Sequence, residues 1–286
     1  MNECMIMKKF FLGLLLLLTV MLMVNSCSSN TATESTSSGD TVTVAVVKLT
    51  DTTSFKKSNG EVCRIYADAT FNYPTSFKDK PMLEKLQRLY ALIVLETPDS
   101  LTLNDAMQQC VSNSLHQYDL TSEIDEAPID MDEESSVMAY HTSTNVLLHY
   151  NRNQLVTFCK VEMVRKDSLV TSVTHKFYTF DLKDMTQVTL SRLFRDDARM
   201  QLTKLLRMKL LEQNKVENND QLNELGYYNI DNLVVNNNFY CDEKGLTWCY
   251  MPNELAVSAI GEPRVTLDYE SLSSLTCEGS LLPRMK

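Results

Sequence analysis

Apolar and polar positions along this chain change period several times, and each change marks a different kind of segment. Phe10 to Val24 is a nearly unbroken apolar run. The next thirteen residues, "SSNTATESTSSGD" at 28–40, include eight Ser or Thr and show no apolar period. They predict a flexible tether rather than a folded element. From Thr41 the pattern becomes strand-like. "TVTVAVVKL" is rich in β-branched residues, and "EVCRIYADATFNYP" alternates Val62, Arg64 and Tyr66 against Cys63, Ile65 and Ala67, up to a stop at Pro74. The period then lengthens. Pro81 opens a helix whose face carries Leu83, Leu86, Leu89, Tyr90 and Ile93. A second helix over about 103–117 buries Ala106, Met107, Cys110, Val111 and Leu115.

Three period-two stretches follow at 144–150, 154–165 and 168–180. The polar links "NRN" and "KD" are short enough only for turns, so a meander of antiparallel strands is expected. The second half opens with a helix from about Asp197, with Leu202, Leu205, Leu206 and Leu210 on one face and Asp196 or Asp197 as its cap. "LVVNNNFYCDEKGLTWCYM" reads as a hairpin turning at 242–245, and "RVTLDY" as a last strand. The fold class is α+β: antiparallel sheets with helices packed on one face, in two small domains at 41–185 and 186–275, with a tail at 276–286.

The opening run changes what the rest means. Fifteen helical residues span about 22 Å, short of the roughly 30 Å hydrocarbon core, so Phe10 to Val24 behind Lys8 and Lys9 reads as a signal segment rather than a membrane span. Met7 is a plausible start. Cys27, where the apolar run stops, resembles the lipobox cysteine of bacterial lipoproteins. That resemblance implies cleavage before Cys27, a lipidated sulfur, an acylated N-terminus and stable anchoring in a membrane. The expected place is therefore extracytoplasmic. No acidic cluster follows Cys27, which favours the periplasmic side over the cell surface. The 260 residues from Cys27 onward carry 25 basic and 36 acidic side chains, net −11. That balance argues against nucleic acid as a partner.

Six further cysteines, Cys63, Cys110, Cys159, Cys241, Cys249 and Cys277, contain no CxxC pair. In the hairpin Cys241 faces Leu246 and Cys249 falls on the other side of the sheet, which argues against a bridge between those two. Buried free thiols fit at least as well.

Two stretches resemble a known family. "FDLKDMTQVTLSRLF" at 180–194 is similar to its FDLxTGxxhxLxDLF stretch. "NNFYCDEKGLTWCYMPNELAVSAIGEPRVTLDYESL" at 237–272 is similar to its ending. The family is the RsiV-like C-terminal domain, a DUF3298-like bacterial envelope domain of unknown function. The resemblance implies an α+β fold and an extracytoplasmic, often membrane-anchored protein. Some relatives bind lysozyme as anti-sigma ectodomains, and others precede deacetylase domains acting on cell-wall glycans. "KDMTQ" replaces the family's Thr-Gly turn, so a different turn type is expected there. The segment before the apolar run is too short to hold a sigma factor.

No motif of nucleophilic catalysis, phosphate binding or zinc ligation occurs, so no catalytic residue, metal or cofactor is assigned. His116, His141, His149 and His175 are scattered. Asp125, Asp130 and Asp132 lie in an acid-rich stretch at 119–135 that lacks EF-hand spacing, and a solvated loop is the better reading. The binding candidates are Tyr240, Trp248, Tyr250 and Glu254. Trp248 and Tyr250 share a face of the hairpin and Tyr240 takes the other; such rings can stack on sugars, or fill a core. Glu254 has Glu262 and Asp268 as nearby carboxylates but no spacing that signals a dyad. It reads as a cap in the first turn of "NELAVSAI", with Gly261 ending that turn at positive φ. The function expected is a lipid-anchored, non-enzymatic module that binds an envelope protein or glycan; an enzyme or accessory of peptidoglycan or polysaccharide hydrolysis or deacetylation is the alternative.

Overall fold

Alternating apolar residues dominate the first part of the folded chain, and they build one large sheet. The computed structural model describes residues 40–57, 62–116, 124–125 and 137–286; Cys27, the tether and most of the acid-rich stretch lie outside them. The strands β1 (Thr43–Lys57), β2 (Val62–Ser76), β3 (Ile124–Asp125), β4 (Val137–Arg152), β5 (Leu155–Lys166), β6 (Leu169–Asp181) and β7 (Thr186–Gln187) stand in the order β3-β1-β2-β4-β5-β6-β7. β4, β5 and β6 form the expected antiparallel meander. β2 lies parallel to β4, which the helical crossover between them permits. β2 also runs two residues past Pro74, whose backbone pairs across a register shift at Thr43 and Val44.

Two helices cover one face of this sheet. Helix α1 (Lys80–Leu89) is capped by Asp79, whose carboxylate accepts from Met82 N–H at 2.9 Å. It runs on into a π-helical turn, Tyr90–Val94. Of the predicted stripe Leu86 and Tyr90 are fully buried and Leu89 and Ile93 pack partly buried against the same core, while the wider turn also brings Ala91, Val94 and Leu95 inward. Helix α2 (Leu103–His116) buries Ala106, Met107, Cys110, Val111 and Leu115, as its period requires.

The second part builds a smaller sheet, β8 (Phe239–Cys241), β9 (Gly245–Cys249) and β10 (Arg264–Asp268), in the order β10-β9-β8. Helix α3 (Arg199–Asn214) packs on it through Leu202, Leu206 and Leu210. No side chain caps α3: a 3-10 turn over Asp196–Ala198 precedes it, and Asp197 instead pairs with Arg195. Short helices α4 (Asn219–Glu224) and α5 (Tyr269–Ser273) complete the layer.

The described residues fall in one compact unit, where Cys159, Phe177 and Cys249 make a small hydrophobic cluster beside two large ones. One draws on Val42 to Met185; the other draws on Val188 to Met285 and also takes Tyr150 and Leu155 from the β4–β5 hairpin. Residues 276–286 are no loose tail, because Leu281, Leu282 and Met285 are buried in the second cluster.

A buried ion-pair hub joins the two parts. Asp181, at the end of β6, accepts from Arg284 through both carboxylate oxygens, at 2.8 and 2.9 Å, and from Arg192 at 3.1 Å. Beside it lies the turn that departs from the family pattern. Met185 stands where the family has Gly and takes φ +56°, the left-handed region that glycine occupies freely. A non-glycine side chain thus sits in a backbone conformation that glycine adopts without strain.

Candidate functional site

The outer edge of β6 meets the small sheet through side chains rather than strands. Asn238, one residue before β8, stands in for a peptide unit. Its Oδ1 accepts from Phe177 N–H at 2.9 Å and its Nδ2 donates to His175 C=O at 2.9 Å. Asn237 Oδ1 accepts from Leu190 N–H at 3.0 Å, and Asn236 Nδ2 donates to Cys249 C=O at 3.1 Å. Glu262 completes the clasp: Oε1 accepts from His175 N–H and Oε2 meets His175 Nδ1, each at 2.6 Å, with Arg264 at 3.3 Å. Burial alone would raise the Glu262 pKa. The hydrogen bonds from His175 and Arg264, with the charge of the imidazolium when present, outweigh it and hold this carboxyl below the ordinary range.

Between this clasp and the turn after β9 lies a cleft of about 420 Å³. Phe177, Tyr178, Cys249 and Met251 give it apolar walls; Gln187 and the asparagines supply amides, with Lys176 and Glu254 also at its surface. A larger hollow, about 590 Å³, lies between α1 and residues 99–103, where Arg88 pairs with Asp99. Its lining is mostly solvated charged and polar side chains. The smaller cleft, walled by rings fixed in the fold, is the better candidate for recognition.

The residues singled out in the sequence separate on this surface. Trp248 and Tyr250 are both 0 % exposed in the second core, so no ligand can stack on them. They are corrected from binding candidates to core. Tyr240 lies on the opposite face, as the alternation requires. It is half-buried against Phe177, ring centroids 4.5 Å apart, and against His149 at 4.6 Å. Glu254 lines the cleft, but its Oε2 accepts from Met251 N–H at 2.8 Å and its own N–H donates to Met251 C=O at 3.0 Å. With Pro252 second and Asn253 third at φ +64°, this is a reverse turn, not the first turn of a helix. The 3-10 turn begins only at Ser258 and stops at Gly261, whose φ is +79°. Asp268 caps α5 through Ser271 N–H.

Among the described side chains the histidines do not converge. His141 stacks on Tyr66 with centroids 4.7 Å apart, His149 lies against Phe177, and His175 belongs to the clasp. Among the described residues no three metal-ligating side chains gather at one point, and the calcium reading of Asp130 and Asp132 falls outside those residues. Cys63, Cys110, Cys159, Cys241 and Cys249 are buried and Cys277 is partly exposed; among the described residues no disulfide joins Cys110, Cys159, Cys241, Cys249 or Cys277. Burial pushes the Cys159 thiol up to about 11 and the Cys249 thiol up to about 12, which keeps both protonated and unreactive.

Sequence reasoning missed one charged network. Lys160 is buried on the helix side of β5 and pairs with Glu162 at 2.9 Å and Glu96 at 3.4 Å; Lys176 reaches Glu96 at 3.2 Å. Burial works against the Lys160 charge, but Glu162 and Glu96 overcome it and raise its pKa. The polar side chain at the buried position of an apolar strand was the available signal.

These features define the class: an α+β scaffold whose two sheets are clasped by side chains, with an open cleft beside the clasp. The chain's C-terminal part can be placed further. Residues 191–270 match the model of the family described as "Protein of unknown function (DUF3298)", the family that the 180–194 and 237–272 stretches resemble. A crystal structure of a DUF3298 family member from Bacteroides fragilis NCTC 9343 is similar at 17% identity, with TM-score 0.66, over 86% of this chain and 99% of that one. A DUF3298 family protein from Pseudomonas aeruginosa PAO1 aligns at 12% identity and TM-score 0.49, over 82% and 95%. No curated protein matches the chain. Among the described residues no helix is long and apolar enough to cross a membrane.

Proposed function

We propose that this protein is a lipid-anchored module of the bacterial cell envelope that binds an envelope protein or glycan without transforming it. The observation that carries this reading is the cleft beside the clasp. Its walls are rings and amides, suited to holding a ligand, while its one lining acid, Glu254, closes a turn, and the other carboxylates weighed with it also serve the fold: Glu262 holds a strand edge and Asp268 caps a helix. Cys27 is the anchor, and 28–40 the tether that lets the folded part clear the bilayer.

The test uses the full chain against a glycan array and envelope protein fractions, with Met251→Trp to fill the cleft and Glu254→Gln to keep an acceptor for Met251 N–H. Saturable binding that Met251→Trp weakens by about tenfold or more, with the thermal midpoint held, is expected. Empty array and fractions together would sink the reading. So would hydrolysis or deacetylation of an envelope glycan that stops in a folded Glu254→Gln protein.

A further inference from the structure

Among the described residues, the opposite edge of the large sheet is left mostly unpaired. β3 pairs only with Lys56 and Lys57 of β1, and no other strand among the described residues stands outside β1. Thr52 N–H shows the consequence: it is met by the Asp51 carboxylate at 2.8 Å, not by a neighbouring strand. The β1–β2 register is unbroken from Val44 to Lys56. By alternation, the N–H and C=O groups of Val46, Lys48 and Thr50 therefore point the same way as Thr52 N–H, into solvent. Beside this edge lies a groove of about 610 Å³, walled by Leu49, Thr50 and Asp51 on one side and by Asp105, Gln108, Gln109, Val111 and Ser112 of α2 on the other.

An unpaired strand edge running along a groove against a helix has the geometry for one kind of occupant. Edge hydrogen bonds take an extended polypeptide backbone, and the groove takes alternate side chains from it. The charge in the groove selects among peptides. Asp51 and Asp105 are its carboxylates. Asp51 accepts from a backbone N–H, and Asp105 receives the Thr102 hydroxyl at 2.6 Å; among the described residues no cation pairs with either. A second copy of a chain with net charge −10 is a poor fit to an acidic groove. We infer that β1 accepts an extended, Lys- or Arg-bearing segment of a partner protein as an added antiparallel or parallel strand, with Asp51 and Asp105 receiving its basic side chains. The inference is independent of the cleft reading, which concerns the other edge.

The probes are two capped decapeptides, alternating Lys-Val and alternating Glu-Val, titrated against the full chain by fluorescence anisotropy. Amide hydrogen exchange reads β1 in parallel. The Lys-Val peptide should bind about tenfold or more tightly than Glu-Val and slow exchange at Val46, Lys48, Thr50 and Thr52. Thr50→Pro removes one outward N–H at an edge, where proline is tolerated, and should weaken binding about tenfold while the thermal midpoint holds. Asp51→Asn with Asp105→Asn should abolish the preference for the basic peptide. Slow exchange at those amides in the free chain would overturn the inference, because the edge would already be covered. Equal binding of both peptides, or binding indifferent to Thr50→Pro, would overturn it as well. Self-association abolished by Thr50→Pro would assign the edge to a second copy instead.

Discussion

The two edges of the large sheet receive opposite treatment. On the β6 side β7 pairs with Phe180 and Asp181, Val188 N–H reaches Thr179 C=O, Asn238 and Glu262 close His175 and Phe177, and a register shift at Val164 and Arg165 follows. On the β1 side a longer stretch has no strand paired with it among the described residues. Strand edges invite pairing, and bulges, side-chain cover and short neighbours are the usual ways to blunt them. Along β6 these devices meet one after another, whereas along β1 the short β3 pairs only with Lys56 and Lys57 and, among the described residues, the middle of the strand runs unpaired above a groove. The difference teaches that the covered edge is the joint of the molecule, and the bare one is its available surface.

Three substitutions sharpen that contrast. Asp181→Ala should have the largest effect, since it leaves Arg284 and Arg192 without their buried carboxylate. A loss of about 3–5 kcal/mol is expected in urea titration, with both parts of the chain unfolding more readily. Asn238→Ala removes the side chain that imitates a peptide unit and strands Phe177 N–H and His175 C=O. About 1–3 kcal/mol should be lost in the same titration, and exchange at Phe177 should rise while β1 stays unchanged. The smallest effect belongs to Glu262→Gln and depends on pH. The folded Glu262 pKa lies below its unfolded value, so its contribution is complete above the ordinary Glu range and is lost as pH falls through the folded pKa. The thermal midpoints of wild type and Glu262→Gln should therefore differ at pH 6 and converge towards pH 3. A gap that stayed constant would show that Glu262 does not titrate in the clasp.

Much of the fold was legible because burial on one face leaves a clean period. The α2 stripe, the β4–β6 meander and the opposed faces of Tyr240 and Trp248 follow from alternation alone. The π-helical turn was not legible, because one residue inserted at Tyr90–Val94 shifts the inward face without any change of composition. The parallel pairing of β2 and β4 depends on a long crossover that no local pattern encodes. The site was harder still. Asn238 lies in a stretch that reads only as part of a hairpin, yet its side chain clasps a strand some sixty residues away in sequence. Glu254 was placed as a cap, and the backbone bond it makes is of that kind, but the turn around it is set by Asn253 and not by a helix. The Lys160 network needed Glu96 from the end of a helix, which sequence spacing does not bring near.

The β4–β5 hairpin holds both ends of the described chain. Gln154 N–H donates to Asp40 C=O, and the Arg284 guanidinium donates to Asn153 and Gln154 C=O at 2.8 to 3.2 Å. Residues 40 and 284 are therefore neighbours across a single turn, although nearly the whole fold lies between them. The covalent order of the two parts is for that reason not essential to their packing: a short linker joining Lys286 to Asp40 closes the chain into a ring with little strain. New termini can then be cut elsewhere, giving a circular permutant in which the small sheet is made before the large one.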